Sequence, residues 1–231
     1  MYTRSSLWPE GVYKVPWWKK LLPFSKRSVV PDSVLQVAFD MPGWIEQQPS
    51  GQLRLWRAPH GSVLSLAMLD SDIWSAASEE ELREIARRHA AGHQAGLIEV
   101  NRLPCGNQSA FCFIYKRLQM PAYVFTGMFF VRLHGHPLVW TIVDGESGMT
   151  GVREAVVMTE LVKSTNPKST EDLEKLWGED PYDMTSLGVD SRVRRFTSDG
   201  EEYDGRFPDH PLTRIRRCLY ELRTWITSFG G

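Results

Sequence analysis

The fold is decided by two neighbouring runs, Ala110-Phe111-Cys112-Phe113-Ile114-Tyr115-Lys116-Arg117 and Tyr123-Val124-Phe125-Thr126-Gly127-Met128-Phe129-Phe130-Val131-Arg132-Leu133. In the first, Phe111, Phe113 and Tyr115 alternate with Cys112 and Ile114. In the second, Tyr123, Phe125, Phe129 and Val131 share one side, with Gly127 between them where a bulge or close packing is expected. Period-two alternation with aromatic enrichment is the pattern of β-strands. The connections around them are too short for crossover helices, so the strands pair antiparallel. His134-Gly135 turns the chain into a further strand led by Leu138, Trp140 and Ile142.

Working outward, Leu97 to Arg102 reads as a short strand. Upstream, Leu35, Val37 and Phe39 alternate before Met41-Pro42-Gly43, Leu53 and Leu55 precede Trp56, and Ser62 to Leu69 is a nearly continuous apolar strand after the Pro59-His60-Gly61 turn. Between the two strand groups lies a helix. Ser78 with Glu81 is a capping box, and Leu82, Ile85, Ala86 and His89 fall on one face. A second helix is expected over 152–163, with Val152, Val156 and Leu161 inward, Ser147 or Thr150 as cap and Asn166-Pro167 as stop. The order is three strands, helix, four strands, helix. Alternating βα units are absent, which disfavours a doubly wound nucleotide fold. The expected class is α+β: an antiparallel sheet of about six or seven strands packed with helices, plus a C-terminal helical extension.

The order and texture of 34–163 resemble the PsbP-like superfamily, which includes Ran-binding Mog proteins and bacterial DcrB-type proteins. The residues that carry the resemblance are Leu35-Gln36-Val37-Ala38-Phe39, Met41-Pro42-Gly43-Trp44, the charged helix after strand three, and the aromatic strands ending in Trp140-Thr141-Ile142-Val143. The resemblance implies a non-enzymatic, protein-binding role as adaptor, assembly factor or chaperone, in a bacterial-type soluble protein with no shared catalytic residues.

Three regions follow from this pass: a proline-broken arm over 1–33, an α+β domain over 34–163, and an acidic loop with an amphipathic helix over 164–231. In the arm, Pro9, Pro16, Pro23 and Pro31 prevent a long helix. Trp17-Trp18-Lys19-Lys20 reads either as cover for an apolar patch or as an interfacial anchor on anionic lipid. In the tail, 178–205 is dense in Asp, Glu, Gly and Ser and reads as a loop or a partly mobile segment. After it, Leu212, Ile215, Leu219, Leu222, Ile226 and Phe229 form a helical stripe capped by Asp209, with Pro211 in its first turn.

Composition narrows function. The 231 residues carry 27 basic and 28 acidic side chains, net -1. The charge is uneven: six basic against one acidic over 1–30, six against twelve over 166–210, and four against one over 211–231. Without a broad basic surplus, nucleic acid is excluded as the main partner. Three cysteines with no CxxC pair exclude a disulfide scaffold, no apolar run reaches the ~18 residues of a membrane span, and the N-terminus does not read as a secretory signal, so a cytoplasmic location is expected.

Candidate chemistry is sparse. His89 and His93 stand at i and i+4, the spacing that directs two imidazoles at one metal, with His134 or His136 as a third ligand; the alternative is one half-buried and one exposed histidine. Asp144-Gly145-Glu146-Ser147-Gly148-Met149 sits where a nucleophile elbow would, but Met149 replaces the required glycine. Cys105, in a turn, could be a nucleophile only with a base beside it. Glu202, Asp204 and Asp209 could hold a cation, or simply start the last helix and pair with Arg214 or Arg217. The reading is protein binding through the aromatic sheet face or a groove beside it, with Trp17, Trp18, Tyr203, Phe207, Arg214 and Arg217 as partner-binding residues, and no cofactor. The alternatives are a metal- or cysteine-dependent enzyme around His89 and His93, and a peripheral membrane protein.

Overall fold

The computed structural model describes residues 43–47, 53–71, 74–75, 77–178 and 180–229. The expected strand over Leu35–Phe39 and the arm with Trp17 and Trp18 lie outside the described residues. The elements are β1 (Ile45–Glu46), β2 (Leu53–Arg57), β3 (Val63–Met68), α1 (Glu79–Gly92), β4 (Gly96–Cys105), β5 (Gln108–Gln119), β6 (Ala122–Leu133), β7 (His136–Gly145), α2 (Val152–Thr165), α3 (Thr170–Leu176), a series of 3-10 turns, and α4 (Pro211–Phe229). Among the described residues the strands form one seven-stranded sheet in the order β1-β2-β3-β7-β6-β5-β4, with every neighbouring pair antiparallel. The protein is therefore α+β, as the alternation predicts. β4 is longer than expected, running the whole length of its pairing with β5, and the one register shift lies between Leu97 and Glu99.

Strand alternation feeds two cores. On one face, Ile98, Cys112, Ile114, Phe125, Phe129, Val131, Trp140 and Ile142 meet the α4 stripe of Leu212, Ile215, Leu219, Leu222 and Ile226. Each of those five α4 side chains is at most 5% exposed; at roughly 1.5–3 kcal/mol per buried aliphatic side chain, the stripe is a major stabilising contact within the chain. Gly127 is what lets α4 sit so close: a Cβ there would lie 2.5 Å from Ile215 Cγ2. Close packing, and no bulge, explains this glycine.

On the other face, Leu97, Phe111, Phe113, Tyr115, Met128 and Phe130 pack against Leu82, Ala86 and Ala90 of α1 and against Met184, Val189 and Val193 of the tail. Ser78 and Glu81 form the expected capping box. The segment 178–205 is thus no loose acidic loop. Its carboxylates cap tight turns: Asp180 accepts from the Tyr182 and Met184 N–H groups, Asp190 from Arg192 and Asp199 from Phe196. Loop-like composition and a capped, packed segment look alike in sequence because both use Asp, Ser and Gly.

Phe111, Phe113, Tyr115, Phe125, Phe129, Phe130 and Trp140 are all buried, so the aromatic surplus serves two cores, although Leu55, Val63, Ser65, Thr141 and Val143 on the β2–β3–β7 side away from α4 stay half-buried. Docking through the aromatic residues of the sheet face, one form of the expected function, is corrected on this ground. The inward face of α2 is a second correction. Arg153, Glu154, Val157 and Met158 are buried, whereas Val152 is 39% exposed and Val156 and Leu161 are half-buried. Nor do Ser147 or Thr150 cap α2; Gly151, at φ 71°, precedes it without a side-chain cap.

Candidate functional site

The inward turn of Arg153 and Glu154 has a cause in the surface they face. Lys116 shares strand parity with Cys112 and Ile114, so it points to the α4 side, but beyond the start of α4, where no apolar stripe reaches it. There the tail brings Asp199 to it, and both side chains are fully buried with Nζ 2.5 Å from Oδ2. The ammonium lies 3.7 Å from the Phe196 ring centroid. Burial pulls its pKa down, and Asp199 opposes that shift.

Arg153, also fully buried, uses its whole guanidinium. Nε donates to the Ser198 carbonyl at 2.6 Å, Nη2 to the Gly200 carbonyl at 2.7 Å, and Nη1 to Asp204 Oδ1 at 2.8 Å and Thr213 Oγ1 at 3.0 Å. Arg216 ties Glu99 at 2.7 Å and Asp204 at 3.0 Å. Arg214 holds both oxygens of Asp144, at 2.7 and 2.9 Å, and Ser62 Oγ donates to Asp144 at 2.6 Å. Every one of these cations is matched by a carboxylate.

Glu146, Glu154 and His210 complete the chamber. Glu146 Oε1 accepts the Gly151 N–H at 2.8 Å and Oε2 the Tyr123 N–H at 3.0 Å. Neither carboxylate oxygen of Glu154 accepts a hydrogen bond from another residue; the one donor that acts on it is its own backbone N–H. Burial raises its pKa, and the Asp199 and Glu146 carboxylates add to the rise. His210 Nδ1 accepts the Leu212 N–H at 3.3 Å, so His210 caps α4, the role expected of Asp209. Its pKa falls to about 3, through burial first and then through Arg153, Arg214, Lys116 and Arg216.

Two adjoining clefts open onto this region. One, of about 280 Å³, has Met149, Val152, Phe207, Pro208 and Pro211 around Glu146, Arg153, His210 and Arg214. The other, of about 190 Å³, has Trp44, His60, Ser62, Ile142, Arg217, Cys218 and Glu221. They share Asp209 and Arg214, forming a band across the start of α4. Met149 is 84% exposed at its edge. A wider, shallower groove of about 820 Å³ runs between α1 and the turn at Pro181–Asp183, but Glu81 and Glu84 there are occupied by the cap and by Arg87 and Arg88.

Of the residues singled out from sequence, Phe207, Arg214 and Arg217 line the band, and Tyr203 is half-buried beside it on the 3-10 turn over Glu201–Tyr203. Arg214 pairs with Asp144, across the fold, and also donates to the Asp209 carbonyl; Arg217 is exposed. Glu202, Asp204 and Asp209 do not converge as a cation site: Asp204 is taken by Arg153 and Arg216.

His89 and His93 are tilted against each other, 5.0 Å between centroids; His89 meets Phe113 edge-on and Tyr115 at a tilt, and His93 stacks on Tyr115. Both are half-buried, where one exposed ring is expected, and burial lowers their pKa values to about 3 and about 4, so both rings are neutral near pH 7. Tyr115 pairs with Thr126, whereas His136 pairs with Leu133 at the far end of β6. Seven residues of strand, about 23 Å, separate those positions, so His134 and His136 supply no third ligand. Cys105 is buried with its pKa raised by desolvation, and burial lifts Cys112 to about 12. Sequence reading missed Lys116, Arg153, Glu154 and Asp199, and met Glu146 only within the elbow-like 144–149 run and His210 only within the stretch that starts the last helix. The available signal was charge at inward parity: Lys116 in register with Cys112 and Ile114.

No protein-family model matches the chain, and no curated protein matches it. Solved structures do. A point mutant of protein Mog1 is similar at 10% identity and TM-score 0.36, over 66% of this chain and 90% of that one. The Saccharomyces cerevisiae Ran-binding protein Mog1p is similar at 10% identity and TM-score 0.35, over 66% and 89%. Similarity at this level concerns the fold alone and assigns no residue a role.

Proposed function

We propose that this chain is a non-catalytic protein-binding module, an adaptor or assembly factor, whose docking surface is the band of two clefts across the start of α4. The observation that carries this reading is the pairing of an apolar rim (Met149, Val152, Phe207, Pro208) with charged groups already locked to partners inside the fold. Fixed polar groups beneath an exposed apolar edge suit recognition of another protein's side chains, which gain contact area without disturbing the ion pairs. The two adjoining clefts, of about 280 and 190 Å³, have room for the side chains of a docking partner.

The chemistry around the band points the same way. Ser62 gives its proton directly to Asp144, whose oxygens are also held by Arg214, so its hydroxyl has no free base beside it. Cys218 has its pKa raised by burial and is a poor source of thiolate. Trp17 and Trp18 lie outside the described residues; we assign them to the same partner from sequence alone, as aromatic side chains set beside Lys19 and Lys20. Among the described residues no helix is long and apolar enough to cross a membrane.

The test is co-purification of the full-length chain from its native host. A stoichiometric partner should be retained by wild type and by Asn107→Glu, and lost from Met149→Glu/Val152→Glu. Asn107 is exposed in the β4–β5 turn, near the other end of α4, where Arg223 and Thr227 meet Pro104 and Cys105. Absence of any stoichiometric partner, or equal retention by both variants, would refute the proposal.

A further inference from the structure

We propose that Glu146, Glu154 and His210 form a binding site for a first-row divalent transition-metal ion, with zinc as the best fit. One ligand atom from each residue lies within 4.8 Å of the others, the spacing that places an ion between them. The side chains of Glu146 and His210 are 5% and 8% exposed, and Glu154 as a residue is 7% exposed. Grouped acids alone would mean little. Here an independent observation points to a ligand: Glu154 is buried with neither oxygen bonded to another residue, and His210 Nε2, 3.9 Å from Glu146 Oε1, has no hydrogen-bond partner. Buried polar atoms are rarely left in this state unless an ion or water serves them.

Charge accounting in the chamber favours a cation over water alone. Lys116 is matched by Asp199, Arg153 by Asp204, Arg214 by Asp144 and Arg216 by Glu99, leaving Glu146 and Glu154 as the surplus carboxylates. A divalent ion would neutralise both. One imidazole with two carboxylates is a mixed N/O set, suited to zinc or a neighbouring transition ion. Magnesium and calcium favour oxygen throughout.

Gly151 and Tyr123 N–H groups already orient Glu146, whereas His210 Nδ1 accepts the Leu212 N–H, which leaves the proton on Nε2 until a metal displaces it. That contact, at 3.3 Å, is long for a hydrogen bond; the tautomer that frees Nε2 for a metal gives it up and sets Nδ1–H against the Leu212 N–H, so binding must turn the imidazole away from Leu212. Glu146 and His210 line the larger cleft, which supplies the entry path. The bound ion would tie the β7–α2 loop, the first turn of α2 and the cap of α4 together, holding the larger cleft in shape. The site does not depend on the docking proposal.

The experiment uses the full-length chain without a histidine tag, stripped by a chelator and titrated calorimetrically with zinc chloride, with magnesium chloride as comparator. The expected result is one zinc per chain, at least tenfold weaker in Glu154→Gln and in His210→Gln, with magnesium weaker still. Zinc should also raise the thermal midpoint of wild type but not of Glu154→Gln. Glutamine conserves volume and removes a buried acid, so Glu154→Gln is expected to fold with an apo midpoint at or above that of wild type. Absence of zinc binding would overturn the proposal. So would zinc binding that survives both substitutions and is lost in His89→Gln/His93→Gln, or a zinc-soaked crystal showing only water between the three side chains.

Discussion

Replacing Lys116 by methionine isolates the strongest electrostatic commitment in the fold. The side chains of Lys116 and Asp199 are both 0% exposed, and their contact is 2.5 Å. Asp199 Oδ2 also accepts the Phe196 N–H at 2.7 Å, while Oδ1 has no partner. Methionine fills most of the lysine volume, so the dominant loss is the counter-charge, leaving a buried carboxylate with a single backbone donor. Breaking one side of a buried pair costs about 3–5 kcal/mol. In a chain of this size that corresponds to a drop in thermal midpoint of roughly 10 °C. Removing both charges in Lys116→Met/Asp199→Leu eliminates the stranded carboxylate. It leaves only the Phe196 N–H unpaired, a loss of about 1–3 kcal/mol. The double variant should therefore be more stable than the single one. Urea unfolding followed by fluorescence and circular dichroism gives all the corners of the cycle once Asp199→Leu is included. A Lys116→Met variant within about 1 kcal/mol of wild type, or a double variant no better than the single, would refute the reasoning.

Three further outcomes can be checked separately. Gly127→Ala places a methyl 2.5 Å from Ile215 Cγ2 and should cost about 1–3 kcal/mol in urea melts; combined with Ile215→Ala it should cost less than the two changes added. His89 has a folded pKa of about 3 against an ordinary 6.5, so the unfolded chain binds the extra proton between those values. Its contribution to stability is complete above pH 6.5 and is lost as pH falls toward 3. At pH 5 the loss is about 2 kcal/mol, and because the raised pKa of Glu154 gives the opposite slope, the readout is the difference between wild type and His89→Gln. The three thiols, all buried with raised pKa values, should react with an aromatic disulfide reagent at pH 8 only after urea is added, as followed by absorbance.

Most of the architecture was legible because the sheet obeys simple alternation: Phe111, Phe113 and Tyr115 take one core, Cys112 and Ile114 the other. The α4 stripe was legible for the same reason, since its partner surface is apolar. Where the partner surface is polar, the pattern misleads. α2 carries Val152, Val156 and Leu161 at helical spacing, yet it turns Arg153 and Glu154 inward because Asp204, Thr213 and the carbonyls of Ser198 and Gly200 await the guanidinium. Lys116 next to Arg117 looks like the polar end of a strand; only the arrival of Asp199 from the tail makes it a core residue. The two candidate metal carboxylates sit close in sequence, but His210 comes from the far end of the tail, and no local spacing connects them.

The central claim, that a partner protein docks across the start of α4, is tested most directly by a photo-crosslinking residue at position 149 in the native host. The account predicts one dominant adduct of fixed mass from this position, abolished by Val152→Glu, and none from position 107 in the β4–β5 turn. Equal adducts from both positions, or no adduct from 149, would contradict it.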